Sequence, residues 1–264
     1  MTDMTEQYQI GLVIYPDMTQ LDITGPFQVF SFIPNAQVLM LWKNLEPVRS
    51  ANGLTILPTL TFEQCPNLDV LCIPGGPGQI EMMQDQEVLQ FLREQGKTAK
   101  FVTSVCTGSL ILAAAELLQG YRAACHWAFR DQLAMLGVEV GTERVVIDRN
   151  RITGGGVTAG IDFGLLGVEV GTERVVIDRN RITGGGVTAG IDFGLAVASQ
   201  LCGEEMAKTI QLLLEYNPAP PFDAGSPEVA GAALVEQVKD LGKPILEASL
   251  AATRKTALAI GCDV

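Results

Sequence analysis

The sequence predicts an α/β protein in which a mostly parallel sheet is sandwiched by helices, and three observations carry that expectation. Short apolar, β-branched runs alternate with helix-forming segments along the 264 residues, the order that builds parallel sheets covered on both faces. Glycine is frequent, at 28 residues, while aromatics are sparse, at 6%, which suits many tight strand-to-helix turns better than an all-β design. Hydrophobic residues make up 47% and charged residues 18%, ample material for a packed core in one domain over 1–264.

Residues 10–15 (IGLVIY) form a buried strand that Pro16 and Asp17 end. Residues 22–26 (DITGP) open a helix carrying Phe27, Val29 and Phe30, and 36–42 form a second strand. Residues 48–62 read as a short hairpin around Asn52-Gly53, a strong turn dipeptide. A buried strand at 68–73 (LDVLCI) runs into PGGPG at 74–78, and a helix follows over 84–97. The strand at 101–105 meets CTGS at 106–109, which turns into an apolar helix over 110–118. Beyond Gly120, the segment around His126 and Trp127 enters another helix. Strands are expected at 144–148 and 151–153, then a Gly-rich turn and a helix near Gly160. Residues 204–216 are helical, Pro218 to Pro221 (PAPP) ends them, and the Ala/Leu/Lys/Glu-rich stretch from 228 to 258 is a last helix.

One feature interrupts this order. Residues 136–165 recur at 166–195 without a single change. Repeat architectures need at least three units, and their units diverge, so two identical copies point to a recent tandem duplication or one introduced into the sequence itself. Removing one copy leaves 234 residues. One copy is expected to fill the fold's native slot, and the other to loop out or add an extra strand and helix start.

The bulk chemistry excludes several functions. A net charge of −12 and a pI near 4.5 argue against nucleic-acid or anionic-membrane partners, which need a cationic surface. No window of 18 uncharged apolar residues is present to span a bilayer. The first residues, MTDMTEQ, lack the basic-then-apolar order of a signal peptide, so a cytoplasmic protein is expected. The six cysteines (65, 72, 106, 125, 202 and 262) show no CxxC spacing, and there is a single histidine. The usual Cys/His zinc arrangements are therefore excluded, and most of these thiols are expected to be core filler.

The sharpest local feature is VTSVCTGSL around Cys106. A hydrophobic strand meets an apolar helix with no room for a loop, and Ser104 and Gly108, two residues either side of the cysteine, are small. That is the layout of a nucleophile elbow, which strains the nucleophile's backbone and lifts its side chain off the carboxyl edge of the sheet. The helix that starts there aims its amides at the sulfur and is expected to lower the thiol pKa. A structural cysteine at a strand end is the competing reading. Gly75 and Gly76 follow an earlier strand at what should be the same edge, where their amides can approach a substrate and stabilise developing negative charge. A plain tight turn fits equally. Asp22 reads either as a helix N-cap or as a desolvated carboxyl of raised pKa held near the thiol for proton transfer. His126 is the one imidazole available as a base, or else a satisfied, partly buried histidine. Asp162 and its duplicate Asp192 are most simply charges at a helix N-terminus.

Taken in order, Leu21-Asp22-Ile-Thr-Gly-Pro26, Ile73-Pro-Gly-Gly76, Ser104-Val-Cys-Thr-Gly108, Cys125-His-Trp127 and Thr158-Ala-Gly-Ile-Asp162 (again at 188–192) resemble the ThiJ/PfpI superfamily. The resemblance implies a flavodoxin-like fold related to class I glutamine amidotransferases. Thr107 stands where hydrolytic members carry histidine, and the carboxyl partner is aspartate rather than glutamate. With residues 211–222 (QLLLEYNPAPPF) and the DAGSP that follows, these details place the resemblance in the branch that adds water to isocyanides without metal or organic cofactor. It implies Cys106 as nucleophile, Asp22 as acid and then base, and Thr107 with the Gly75 and Gly76 amides positioning intermediate or water. His126 and Ser104 would support the site, the partner would be a small isocyanide, and a homodimer is expected.

Two other classes remain open. The ligand-sensing domain of AraC-type regulators shares the Cys-Thr-Gly and His-Trp motifs, although too few residues follow Pro227 for their helix-turn-helix pair. Glyoxalase-like or redox cysteine chemistry is separated from the hydration reading by little beyond Thr107.

Overall fold

The computed structural model describes residues 7–141, 145–154, 189–218, 222 and 224–262. The first strand, β1 (Tyr8–Val13), buries Ile10, Leu12 and Val13, the continuous apolar run that a strand covered on both faces requires. Next come α1 (Leu21–Phe30), β2 (Ala36–Trp42), the two-residue strands β3 (Val48–Arg49), β4 (Thr55–Ile56) and β5 (Leu60–Thr61), and the fully buried β6 (Val70–Ile73). A one-turn helix α2 (Gln79–Met82) precedes α3 (Gln86–Gly96), whose N-cap Asp85 accepts from the Glu87 and Val88 amides. Then follow β7 (Phe101–Ser104), α4 (Gly108–Ala114), β8 (Arg122–Ala124), a 3₁₀ turn at Trp127–Phe129, α5 (Arg130–Met135), β9 (Glu139–Gly141), β10 (Val145–Asp148) and β11 (Arg151–Gly154). The described chain resumes with α6 (Ala189–Cys202), α7 (Glu204–Leu213), α8 (Pro227–Ala230) and α9 (Ala232–Ala259).

Among the described residues, seven strands form one sheet in the order β10-β11-β7-β6-β1-β2-β5, parallel throughout except for β10 against β11. Two short pairs flank it: β3 with β4, antiparallel, and β8 with β9, parallel. Helix α1 packs on α6, which packs on α7. A second group joins α2, α3, α4, α5 and α9, with α3 against β6 and α4 against β6 and β7. The sheet is flanked by these helices, as the sequence predicts.

The topology fixes where a site can form. From β1 the chain moves outward to β2 and β5, while β6, on the other side of β1, leads outward to β7 and β11. The loops leaving the carboxyl ends of β1 and β6 therefore part in opposite directions, the crevice in which ligands of open α/β sheets bind. The loop after β1 carries Tyr15 and leads to Asp22. The loop after β6 carries Pro74, Gly75 and Gly76, and the turn after β7 carries Cys106.

Several expectations are adjusted. The predicted hairpin over 48–62 is a hairpin only as far as β4, because β5 leaves it to pair with β2. The apolar helix expected to reach 118 ends at Ala114, and Glu116 just beyond has φ +62°, a conformation no helix continues through. Strands β10 and β11 belong to the first repeat copy, whereas α6 begins at Ala189 in the second. The helix predicted near Gly160, and Asp162 with it, lie outside the described residues.

Candidate active site

Cys106 is the elbow the sequence predicts. Its φ is +58°, the left-handed region that costs a non-glycine residue about 1–3 kcal/mol when the surroundings impose it. Several contacts impose it here. The Val105 amide donates to Ile73 O at 2.9 Å, extending the β6–β7 ladder one residue past the strand, and the Gly108 amide closes the turn on Val105 O at 3.0 Å. Gly108 opens α4 directly beneath the preceding loop, where a Cβ would stand 2.5 Å from Ile73 O and 2.7 Å from Pro74 O. Ser104 and Ser109 hydroxyls share a hydrogen bond of 2.9 Å. Ser109 donates onward to Ala124 O, and the Ala124 amide donates to Thr153 Oγ1 at 2.7 Å. The elbow is thus tied sideways to β8 and β11, which places Ser104 in the scaffold beneath the thiol.

Asp22 is not a cap. It is the second residue of α1, whose N-cap is Gln20, and it is fully buried. Its Oδ2 accepts the Gly75 amide at 3.0 Å, while Oδ1 has no hydrogen-bond partner among the described residues. Burial pushes its carboxyl up to about 7, against the Gly75 amide and the Cys106 thiol, which both favour its charged form. Of the two roles the sequence leaves open for Asp22, the structure has the buried carboxyl of raised pKa. The sequence misjudges the thiol. Burial first, and the neighbouring Asp22 charge second, hold the Cys106 thiol well above its ordinary value, and the Thr107 amide opposes them only in part. The helix start, which the sequence reads as lowering it, delivers the α4 amides to a sulfur already desolvated beside a carboxyl. The thiol therefore keeps its proton at pH values where the carboxyl has begun to lose its own.

Gly75 and Gly76 reach this edge as expected, but both amides are engaged. Gly75 donates to Asp22, and Gly76 donates to Thr107 Oγ1 at 3.0 Å. In this arrangement neither is an open oxyanion donor: the turn holds the carboxyl and the hydroxyl that flank the thiol. A Cβ on Gly75 would lie 2.5 Å from the Thr107 nitrogen and 2.7 Å from Cys106 Cβ, so the two loops touch backbone to backbone. Thr107 is buried, its oxygen accepts the Gly76 amide, and among the described residues its hydroxyl donates to none.

His126 is not brought to the thiol by any contact among the described residues. Its Nδ1 accepts the Ala128 amide at 3.3 Å, capping the 3₁₀ turn, and its ring lies against Trp127 and Phe129. Burial and the Arg130 charge push it down to about 4, so it is neutral near pH 7. It is the satisfied histidine rather than a base. Asp192 is buried in the first turn of α6, the position its sequence context gives it. Sequence reading passes over Tyr15, buried at the end of the β1 run with its hydroxyl donating to Pro74 O at 2.8 Å. The signal was present: a tyrosine closing an otherwise aliphatic buried run must place its hydroxyl somewhere.

A strained cysteine at the carboxyl edge of a parallel sheet, set against a buried carboxyl from the first turn of α1, defines a class of α/β proteins organised around one thiol. The chain belongs to the DJ-1/PfpI family, which residues 9–170 match. It is 45% identical to the isonitrile hydratase of Pseudomonas putida over 94% of this chain and 96% of that one. It is 37% identical to the HTH-type transcriptional regulator GbdR of Pseudomonas aeruginosa over 162 residues, covering 58% of this chain but 44% of the regulator. Among solved structures, a ThiJ/PfpI family protein from Pseudomonas syringae superposes with a TM-score of 0.80 at 39% identity, over 94% of this chain and 91% of that one.

Proposed function

We propose that this chain, acting as one domain, is an isonitrile hydratase that adds water to isocyanides to give N-substituted formamides through a covalent adduct on Cys106. The observation that carries the reading is the near full-length identity to a protein of that activity. The buried Asp22 carboxyl beside the Cys106 thiol is its chemical counterpart. The thiol proton passes to Asp22 and the sulfur attacks the terminal carbon of R–N≡C. Asp22 delivers that proton to the same carbon, giving the thioimidate R–N=CH–S–Cys106. The carboxylate then takes a proton from water as the oxygen adds to the carbon, and returns it to nitrogen. Loss of the C–S bond, with the hydroxyl proton passing back by way of Asp22 to sulfur, releases R–NH–CHO. One carboxyl acting as acid and base in turn needs a pKa near the working pH, which burial supplies. Thr107 is the donor for the developing charge on nitrogen or for the attacking water.

The regulator similarity favours a sensing domain as a second reading, but it covers less than half of that relative. A homodimer in the cytoplasm is the expected state. In support, Leu234, Val238, Leu241 and Ile245 form an exposed apolar stripe on the N-terminal half of α9, and no described helix is long and apolar enough to cross a membrane. A single experiment addresses these points: purified protein, sized by sedimentation, is mixed with an aryl isocyanide and formamide is followed by mass. Turnover by a dimer that drops by at least about 10³-fold in Cys106→Ala is expected. A folded sample without turnover would reject the hydratase reading.

A further inference from the structure

Tyr15 stands two residues beyond β1, fully buried, and its hydroxyl donates to the Pro74 carbonyl at 2.8 Å. That carbonyl belongs to the same peptide group as the Gly75 N–H, which donates to Asp22 Oδ2 at 3.0 Å. Phenol, peptide and carboxylate therefore stand in series. A peptide whose carbonyl accepts a hydrogen bond is polarised, and its N–H becomes a stronger donor. We propose that Tyr15 is a positioning residue for the hydration reaction: acting through the Pro74–Gly75 peptide, its hydroxyl aims that amide at Asp22 and favours the ionised carboxylate that accepts the thiol proton. The inference rests on the role given to Asp22 above.

The surroundings leave this peptide an unusual share of the work. Cys106 on the elbow, Cys72 on β6 and Tyr15 itself all sense the Asp22 charge. Helix α6, packed along α1, carries the buried Asp192. None of these groups is cationic, so hydrogen bonds rather than a counter-ion favour the ionised form of Asp22. The hydrogen bonds acting on it come from the Gly75 amide and the thiol, and the thiol is lost as a donor once its proton has moved. The rest of the turn is held independently. The Thr19 amide donates to Gly75 O at 2.8 Å, the Gln79 amide to Gly76 O at 3.0 Å, and the Gly76 amide to Thr107. Removing the phenol oxygen should therefore weaken one link without collapsing the turn. Tyr15 also stays a donor at any working pH, because burial and the neighbouring Asp22 and Cys106 charges keep its proton on.

The test is Tyr15→Phe, which keeps the ring volume, compared with wild type by infrared titration of the Asp22 carboxyl without substrate, the band being assigned by its absence in Asp22→Asn. The midpoint is expected to rise by about 0.5 to 1 pH unit. The acid limb of the isocyanide pH–rate profile should move by the same amount, with KM unchanged. Replacing Tyr15 with 3-fluorotyrosine, a more acidic phenol and better donor, should move both the other way, and it keeps the test alive should Tyr15→Phe fold poorly. A midpoint unmoved by either replacement overturns the relay. Absence of isocyanide turnover in wild type would instead overturn the role of Asp22 in hydration, while the infrared midpoints would still decide whether the hydroxyl reaches the carboxyl.

Discussion

Around Cys106, the residues from 103 to 109 have defined stereochemical tasks. The sheet's outer edge, two strands away, takes its strands from one copy of a repeated sequence, and α6 comes from the other copy. At the elbow the tasks do not overlap. Thr103 donates to Leu71 O at 2.8 Å, Ser104 and Ser109 hold each other, Cys106 takes the strained φ, Thr107 accepts Gly76, and Gly108 makes room for the loop above. At the edge, β11 pairs with β7 in parallel and supplies Thr153 to the scaffold, yet residues 181–184 have the same sequence as β11. Likewise α6 starts at Ala189 although Ala159 opens the same words thirty residues earlier. Local chemistry specifies the elbow uniquely; at the edge it specifies two equivalent solutions, and the choice between them rests on chain connectivity. A landscape has a clear gap only where competing arrangements are disfavoured.

The comparison can be broken at either end, and the largest effect is expected at the elbow. Asp22→Asn should lower turnover by about 10³-fold while making the fold more stable above neutral pH. The sign follows from its raised pKa. Below about pH 4 the carboxyl is protonated in both folded and unfolded chains and costs nothing. As pH climbs towards 7 the unfolded chain ionises first, so the native state loses stability progressively, by up to about 4 kcal/mol at roughly 1.4 kcal/mol per pH unit. Asn does not ionise, and urea denaturation at pH 8 and at pH 4 should show a gain only at the former. A gain equal at both pH values would mean that the carboxyl is not held against its charge.

The next effect tests the edge. Deleting either copy yields the same 234-residue chain and shortens the connection between Gly154 and Ala189 from residues 155–188 to four residues. Closing the shorter connection costs about 2 kcal/mol less, so the melting temperature should rise by several degrees with turnover preserved within a few-fold. Loss of folding on deletion would show that the second copy contributes structure of its own. The smallest effect discriminates the copies directly. Arg151 is buried, donates to Leu117 O and Asn150, and lies over the Tyr121 ring. Arg151→Ala should cost about 1–2 kcal/mol in urea denaturation, and its duplicate Arg181→Ala less than about 0.5 kcal/mol. Equal effects would mean that the copies exchange places.

The same contrast explains what was legible in the sequence. Elbow, strand ends and the Gly75-Gly76 turn could be read because small residues at fixed offsets carry local steric meaning. The raised pKa of Asp22 could be read only as one of two roles, since cap and buried acid look alike until α1 is seen to begin before the aspartate. The sign of the Cys106 shift was not legible. The local Thr107 amide favours the thiolate, but burial and the charges of Asp22, 84 positions away, and Cys125 oppose it, and these depend on the tertiary fold. Nor could the commitment of the Gly75 and Gly76 amides be foreseen, because their acceptors come from α1 and from the elbow. Tyr15 advertises only that it is buried, and its partner lies 59 residues on.

The buried pair of Cys106 and Asp22 also bears on which substrates the proposed reaction would take. Once Asp22 ionises above about pH 7, with no cation among the described groups acting on it and with the Cys106 thiol and the Tyr15 phenol still protonated, the crevice holds a buried negative charge. Carboxylates and phosphate esters meet both repulsion and an unrecovered loss of hydration there. A slender neutral molecule whose dipole ends on carbon meets neither. In the proposed hydration the pair would thus serve also as a filter, and rejection of anions would need no residue of its own.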